Sequence, residues 1–300
     1  MSKENLNYSK LQLIGSMLIF GTVGIFVKYI PLPSDIIAFV RGIIGALILF
    51  VIAFVSGKKI NFSLLKQKGI TVILSGAFIG INWILLFEAY RYTTVATATL
   101  CYYLAPVFVI LFSPVFLGEK LSVKKIICCV IALIGMIFVS GVAEKGIPPI
   151  SELKGVIFGI SAAIFYATVI ILNKKITHIP SFDRTFFQLF SAGVVLIPYS
   201  LLTKSFKEFS FEPKTLFLLI LVGIIHTGIA YVLYFGSMKG LSGQTVAIFS
   251  YIDPVSAIIL SSLILPDEKI TLYGIIGGIL ILGATLACEI NVKNKKTHSS

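Results

Sequence analysis

The sequence predicts an all-α integral membrane protein whose ten transmembrane helices form two inverted five-helix repeats. Three observations carry that expectation. Hydrophobic residues make up 57% of the chain and charged residues 13%, with a mean hydropathy of +1.00. That is more apolar side chain than a soluble domain of 300 residues can bury. Ten apolar runs are each long enough to cross roughly 30 Å of hydrocarbon, and the chain resembles itself at about half its length.

In order, the runs cover residues 11–29, 35–56, 69–90, 93–116, 123–142, 153–172, 184–202, 215–238, 244–265 and 272–289. The first follows a polar start, MSKENLNYSK, and no small-residue cleavage site closes it, so it is expected to stay as a span. The connections, such as PLPSD and GVAEKGIPPISELKG, hold Pro, Gly and Lys and are too short for a soluble domain. With the N-terminus in the cytoplasm, inner loops receive about twice as many Lys and Arg as outer loops, so the chain is expected in the cytoplasmic membrane with both termini on the cytoplasmic side. The formal charge of +12 is accounted for by those loops, which argues against nucleic-acid binding.

The repeat is clearest from Thr93 to Lys125, TTVATATLCYYLAPVFVILFSPVFLGEKLSVKK, and again from Gly240 in GLSGQTVAIFSYIDPVSAIILSSLILPDEKITLYG. At an offset of 148, Tyr103 falls on Tyr251 and Pro106 on Pro254; one residue further, Glu119 falls on Glu268. The domains are therefore expected at residues 1–147 and 148–300. Five spans per half is an odd number, so the second copy must cross the membrane in the opposite sense. Inverted halves can exchange conformations about an in-plane axis, which is the basis of alternating access. The plainer alternative is a duplication that only builds a stable bundle.

These residues resemble a known family. GTVGIFVK followed by Arg41, the run AYRYTTVATATL with Pro106 and LGEKLS, and the second-half GSMKGLSGQTVAIFSYIDP, PDEKIT and GGILILG are similar to EamA-type carriers of the drug/metabolite transporter superfamily. The resemblance covers nearly the whole chain. It implies a ten-helix secondary transporter with the fifth and tenth spans packed outside the transport core. It also implies export of amino acids or related metabolites, with import of a vitamin or nucleoside-like compound, or multidrug export, as alternatives. Glu88 in FEAYRY stands where that family commonly has an apolar residue or tyrosine, and Asp253 where Glu is common.

Polar residues inside the spans are the candidate functional groups, because each is costly in lipid unless it faces a cavity or a partner. Asp253 precedes Pro254, whose missing N–H is expected to break the helix and free a carbonyl. The carboxylate could hold a substrate ammonium or a coupling proton, or be satisfied by Ser250 or Tyr251. His226, mid-span in GIIHTGIAY, could titrate in coupling or pack as a neutral donor. Trp83, Tyr102, Tyr103, Tyr166, Tyr231 and Tyr251 are candidates for an aromatic substrate pocket. Arg41, roughly 9 Å along its helix from Asp35, could clamp a substrate carboxylate or hold an outer gate by pairing with a carboxylate or helix end. Glu88, Pro106 and Pro254 complete the gating and coupling candidates. Glu119 and Glu268, each just past a span, read as helix caps or gate latches. The pairs Gly76/Gly80, Gly155/Gly159 and Gly274/Gly278 have the spacing of tight helix seams.

Other classes find less support. No G-x-S-x-G or H-E-x-x-H motif is present, and His178, His226 and His298 are scattered, so neither an enzyme nor a metal site is expected. The four cysteines lie inside apolar runs without metal spacing, and no cofactor is implied. A channel or a subunit without flux of its own remains open. The partners expected are a small-molecule substrate, protons as coupling ion and the lipid bilayer, in a monomer or homodimer.

Overall fold

The computed structural model describes residues 3–57, 60–93, 95–140, 142–146, 150–176, 179–203, 212–264 and 271–289, and among them every regular element is helical. The helices are α1 (Lys3–Val27), α2 (Ser34–Val55), α3 (Leu65–Tyr92), α4 (Val95–Tyr102), α5 (Ala105–Leu117), α6 (Val123–Val139) and the short α7 (Val142–Lys145) in the first half. The second half holds α8 (Leu153–Lys175), α9 (Ser181–Leu202), α10 (Pro213–Leu221), a π-helical segment (Val222–Ile229), α11 (Ala230–Ser237), α12 (Gly243–Phe249), α13 (Ile252–Ile264) and α14 (Leu272–Glu289). Taking α4 with α5, α10 with α11, and α12 with α13 gives ten spans. Eight of them are at least 18 residues long and strongly apolar. The other two, α6 with 17 residues and α14 with 18, reach about 26 Å at 1.5 Å per residue, the lower limit for crossing.

Equivalent helices start by equivalent chemistry. α2 follows Pro33 (φ −55°, ψ 143°) with Asp35 in its first turn, and α9 follows Pro180 (φ −51°, ψ 139°) with Asp183 in its first turn. In both, proline fixes the entry angle and a carboxylate meets the positive end of the helix dipole. α5 stops at Gly118, whose φ of 66° is the left-handed cap that favours glycine.

The fourth and ninth spans differ from expectation in where their prolines act. The chain breaks at 103–104 and 250–251, where Leu104 N–H reaches Cys101 O and Tyr251 N–H reaches Ile248 O, tighter turns than an α-helix makes. Pro106 and Pro254 then lie in the first turns of α5 and α13. A missing N–H costs least there, so the prolines start the second segments and do not kink a continuous helix.

The two halves interleave in exchanged pairs. α1 packs on α13 and on α11, as α8 packs on α5 and on α3; α2 packs on the π segment, as α9 packs on α3. α2 meets α9 and α6 meets α14 across the pseudo-twofold axis. Side-chain bonds identify the ends of the bundle. Glu88 near the end of α3 bonds Tyr199 of α9, and Asp35 accepts from Thr203 at 3.2 Å, so those residues share one end. At the other, Lys174 Nζ donates to Met238 O at 2.8 Å and Glu119 meets the start of α12. α3 thus ends at one face while its counterpart α11 ends at the opposite one, which is the inversion.

Close seams hold the halves together. A Cβ on Gly76 would lie 2.4 Å from Gln188 O, and one on Gly80 2.8 Å from Ala192 O, so α3 and α9 touch backbone to backbone. Gly155 and Gly159 admit Thr93 and Cys101 in the same way. In α14 the tight position is Gly277, where a Cβ would lie 2.5 Å from Gly135 O of α6; a Cβ on Gly278 would make only an ordinary 3.6 Å contact. The main core cluster runs through both halves, from Leu13 and Trp83 to Leu189, Tyr234 and Phe235, whereas α6 and α14 build a separate cluster around Met136, Tyr251 and Ile281.

Candidate substrate-binding cavity

Periodicity decides which side chains face the middle of the bundle. On α1 the spacing Phe20, Val23, Gly24, Val27 and on α3 the spacing Trp83, Leu86, Phe87, Tyr90 each place one helical stripe on a cavity of about 540 Å3. Arg41 from α2, Thr99 and Tyr102 from α4, Tyr166 from α8, His226 from the π segment, Tyr231 from α11 and Asp253 from α13 complete its walls, with Tyr103 at the first break. Both halves therefore contribute. The cavity occupies the half of the bundle nearer the C-terminal ends of α1 and α3.

The structure brings together eight candidates: Arg41, Trp83, Tyr102, Tyr103, Tyr166, His226, Tyr231 and Asp253. The guanidinium of Arg41 lies 4.3 Å from the centre of the Trp83 ring, and its Nε has no hydrogen-bond partner among the described residues. Among the described residues Arg41 forms no ion pair with a carboxylate; its guanidinium stacks on the indole. Trp83 and Phe20 both set their rings edge-on to Tyr231, at 6.3 and 5.2 Å. Tyr102 lies 5.7 Å from Tyr103 and 5.5 Å from Tyr166, whose hydroxyl donates to Tyr234 at 2.8 Å. These contacts make a continuous aromatic wall.

Asp253 accepts from the Tyr103 hydroxyl at 3.0 Å. The Tyr251 hydroxyl in turn donates to Tyr103 O at 3.0 Å, lacing the two repeat-related breaks together. His226 Nε2 is 2.8 Å from Thr22 Oγ1, which donates its own hydrogen to Ile19 O at 2.7 Å. Nε2 therefore carries the imidazole proton, and Nδ1 is left buried without a partner among the described residues. The histidine sits in a π segment, where Thr227 Oγ1 reaches Val222 O five residues back; such widened turns recur at functional sites.

Four candidates do not line the cavity. Tyr251 is fully buried in the cluster with α6 and α14. Glu88 turns to Arg91, at 2.8 Å, and to Tyr199. Pro106 and Pro254 shape the breaks without facing the cavity. Sequence reasoning missed Phe20, Tyr90 and Thr99 as lining residues, although the three- and four-residue spacings on α1 and α3 mark two of them.

The opposite end of the bundle is closed by polar clasps. Glu119 does not cap its own next helix: its two oxygens accept from Gly243 N at 2.6 Å and Gln244 N at 3.2 Å, in the other half of the chain. Gln244 Nε2 donates to Ser113 Oγ at 2.7 Å, and Lys125 Nζ to Ser242 Oγ at 3.1 Å. Arg184, buried, donates to Asn173 O, Ile176 O and Phe235 O, tying the ends of α8 and α11. Glu268, His178 and His298 lie outside the described residues.

Comparison with known proteins decides the family. The EamA-like transporter family matches residues 8–141 and again residues 153–288, one match per half. The chain belongs to the EamA-like transporter family. It is 31% identical over 283 residues to the Bacillus subtilis (strain 168) protein named uncharacterized transporter YxxF, covering 94% of this chain and 89% of that one. An Archaeoglobus fulgidus protein named uncharacterized transporter is 28% identical over 284 residues, covering 94% and 96%. A solved crystal structure with 18% identity superposes with a TM-score of 0.81 over 94% of this chain and 96% of that one, which shows a shared fold. This EamA-like protein is a multi-pass membrane transporter, and its membership places it in the drug/metabolite transporter superfamily.

Proposed function

We propose that this EamA-like protein is a secondary carrier that moves a small zwitterionic metabolite of the amino-acid class out of the cell by alternating access, with protons as the coupling ion. One observation carries the substrate class. Arg41 and Asp253 face the same cavity from different halves, carry opposite charges and form no ion pair with each other, while aromatic rings line the space between them. A carboxylate can be held by the planar guanidinium and an ammonium by the aspartate. The aromatic wall takes the apolar part of the molecule.

The cavity lies toward the end that the Lys and Arg distribution makes the outer one, and the Glu119 clasp lies at the end it makes the inner one. We read this arrangement as outward-facing, in the cytoplasmic membrane with both termini inside. The inverted halves supply the alternative arrangement. Asp253 is the candidate proton carrier because it is the single carboxylate among the described lining residues. The division into repeats falls at 147/148 in this reading.

Counterflow in proteoliposomes tests the function. Purified protein loaded with unlabelled amino acids should accumulate labelled external amino acid transiently and saturably. Flux without counterflow would indicate a channel, and no flux with any amino acid would remove the substrate class. A reporter fused after Val142 should lie outside and one after Thr297 inside.

A further inference from the structure

A second hollow, about 840 Å3, runs along the outer surface of α1 between α10 and α13. Its walls are aliphatic and aromatic, with Leu18 and Phe26 on α1, Leu218 on α10 and Leu260 on α13. Polar atoms enter it at two levels, from Thr22 and His226 about 6 Å in from the Leu18 end and from Tyr29 and Lys214 at the other end. Along α1 it extends from Leu18 to Tyr29, about 16 Å at 1.5 Å per residue.

This groove and the central cavity share two residues, Ile25 and His226. The partition between them is therefore one side chain thick. The 2.8 Å bond between Thr22 and His226 lies in that partition. The histidine belongs to the π segment, where the widened turn leaves the helix register easiest to shift.

We infer that the groove receives an aliphatic tail of the cargo whose charged head is held by Arg41 and Asp253, with the Thr22–His226 pair as the partition the tail passes. The inference rests on the cavity being the substrate site and adds a cargo class, zwitterions carrying a linear apolar chain. Continuity supports the cargo as occupant: the cavity and the groove share Ile25 and His226 as a common wall, so the head and the tail of one molecule can lie on its two sides. A head in the cavity and a tail in the groove bury both parts in matching surroundings.

The test is a series of 2-aminoalkanoic acids, from 2-aminobutyric to 2-aminododecanoic acid, with binding to the purified full-length protein measured in nanodiscs. The head is constant and only the tail grows. Affinity should rise about fourfold per methylene over the first several additions, the factor that burial of a CH2 gives. Leu260→Trp fills the groove without touching the cavity. It should flatten the series while leaving 2-aminobutyric acid unchanged, and Leu218→Trp, from the facing wall, should do the same if Leu260→Trp does not fold. Binding that is independent of tail length, or a length dependence that survives both variants, overturns the tail site and leaves the groove to lipid. No binding at any length overturns the cavity reading and the tail site with it.

Discussion

The Tyr103 hydroxyl donates to a carboxylate oxygen of Asp253 at 3.0 Å, joining the break of the fourth span to the start of α13 across the pseudo-twofold axis. A proton arriving at Asp253 changes the acceptor of that bond and so reaches the junction of the two halves. Asp253→Asn should weaken substrate exchange in proteoliposomes, because the ammonium loses its counter-charge, and the exchange that remains should no longer respond to an imposed pH gradient. Tyr103→Phe should alter the pH dependence without abolishing it. Gradient-driven transport with its original pH profile in Asp253→Asn would place coupling elsewhere.

Pro254 stands in the first turn of α13, directly after the tight turn at 250–251. Pro254→Ala supplies an N–H that can continue the backbone ladder back into α12, merging two segments into one. Transport should fall several-fold while the amount of folded protein stays near wild type. Unchanged transport would mean that the turn is held by its neighbours.

Arg41 over Trp83 is a planar cation on an indole face. Arg41→Lys keeps the charge and loses the stacking and the fork geometry, so it should still cost about tenfold in affinity for a zwitterionic substrate. Arg41→Gln should cost more. Isothermal titration with the amino acid that gives counterflow checks both, and equal affinities for all three proteins would remove Arg41 from the site.

Glu119 receives two backbone N–H groups of the other half. Its replacement by Gln weakens charge-assisted bonds worth about 1.5–3 kcal/mol. Glu119→Gln should then shift the balance toward the state open at that end by about tenfold or more. Val109, buried beside Gly243, reports the opening when changed to Cys in a background lacking Cys101, Cys128, Cys129 and Cys288. Labelling by an impermeant thiol reagent from that side should accelerate in the Glu119→Gln protein; equal rates would make the clasp incidental.

Gly76 and Gly15 separate packing from propensity. A Cβ on Gly76 would lie 2.4 Å from Gln188 O and 2.7 Å from its Cα, while one on Gly15 meets nothing within 4 Å. Gly76→Ala should destabilise by about 1–3 kcal/mol, as overpacking does, and Gly15→Ala should be neutral or slightly stabilising. Thermal unfolding in one detergent, on both proteins, gives the comparison.

The spans and the inversion were legible in the sequence, because hydropathy and an odd number of crossings need no tertiary information. The cavity face was harder to read. In a helix that is apolar all round, the lipid side is as hydrophobic as the packed side, so no polar stripe marks either. Asp253 and Tyr251 show the consequence. They sit two residues apart and look equally suited to a pocket, yet the tight turn sends the phenol into the α6–α14 cluster and the carboxylate into the cavity. Glu88 lies five residues beyond Trp83, about 140° around the helix at 100° per residue, and so faces α9. Glu119 could not be matched with Gly243 and Gln244 from the sequence, because its partners lie over a hundred positions away in the other half.

The exchanged packing of the halves has a consequence for synthesis. Asn82 donates to Ala162 O at 2.7 Å, and Ser75 and Ser113 accept from Gln188 and Gln244. Every one of those partners leaves the ribosome after the first five spans are complete. At roughly 5–20 residues per second, the newly inserted first half waits about five to twenty seconds in lipid before the last of these partners, Gln244, is made. During that interval it is exposed to membrane proteases, and a transcript truncated after the first repeat leaves it in that condition permanently. The same arrangement should let the halves be supplied as two polypeptides, because the contacts that complete each one come from the surface of the other.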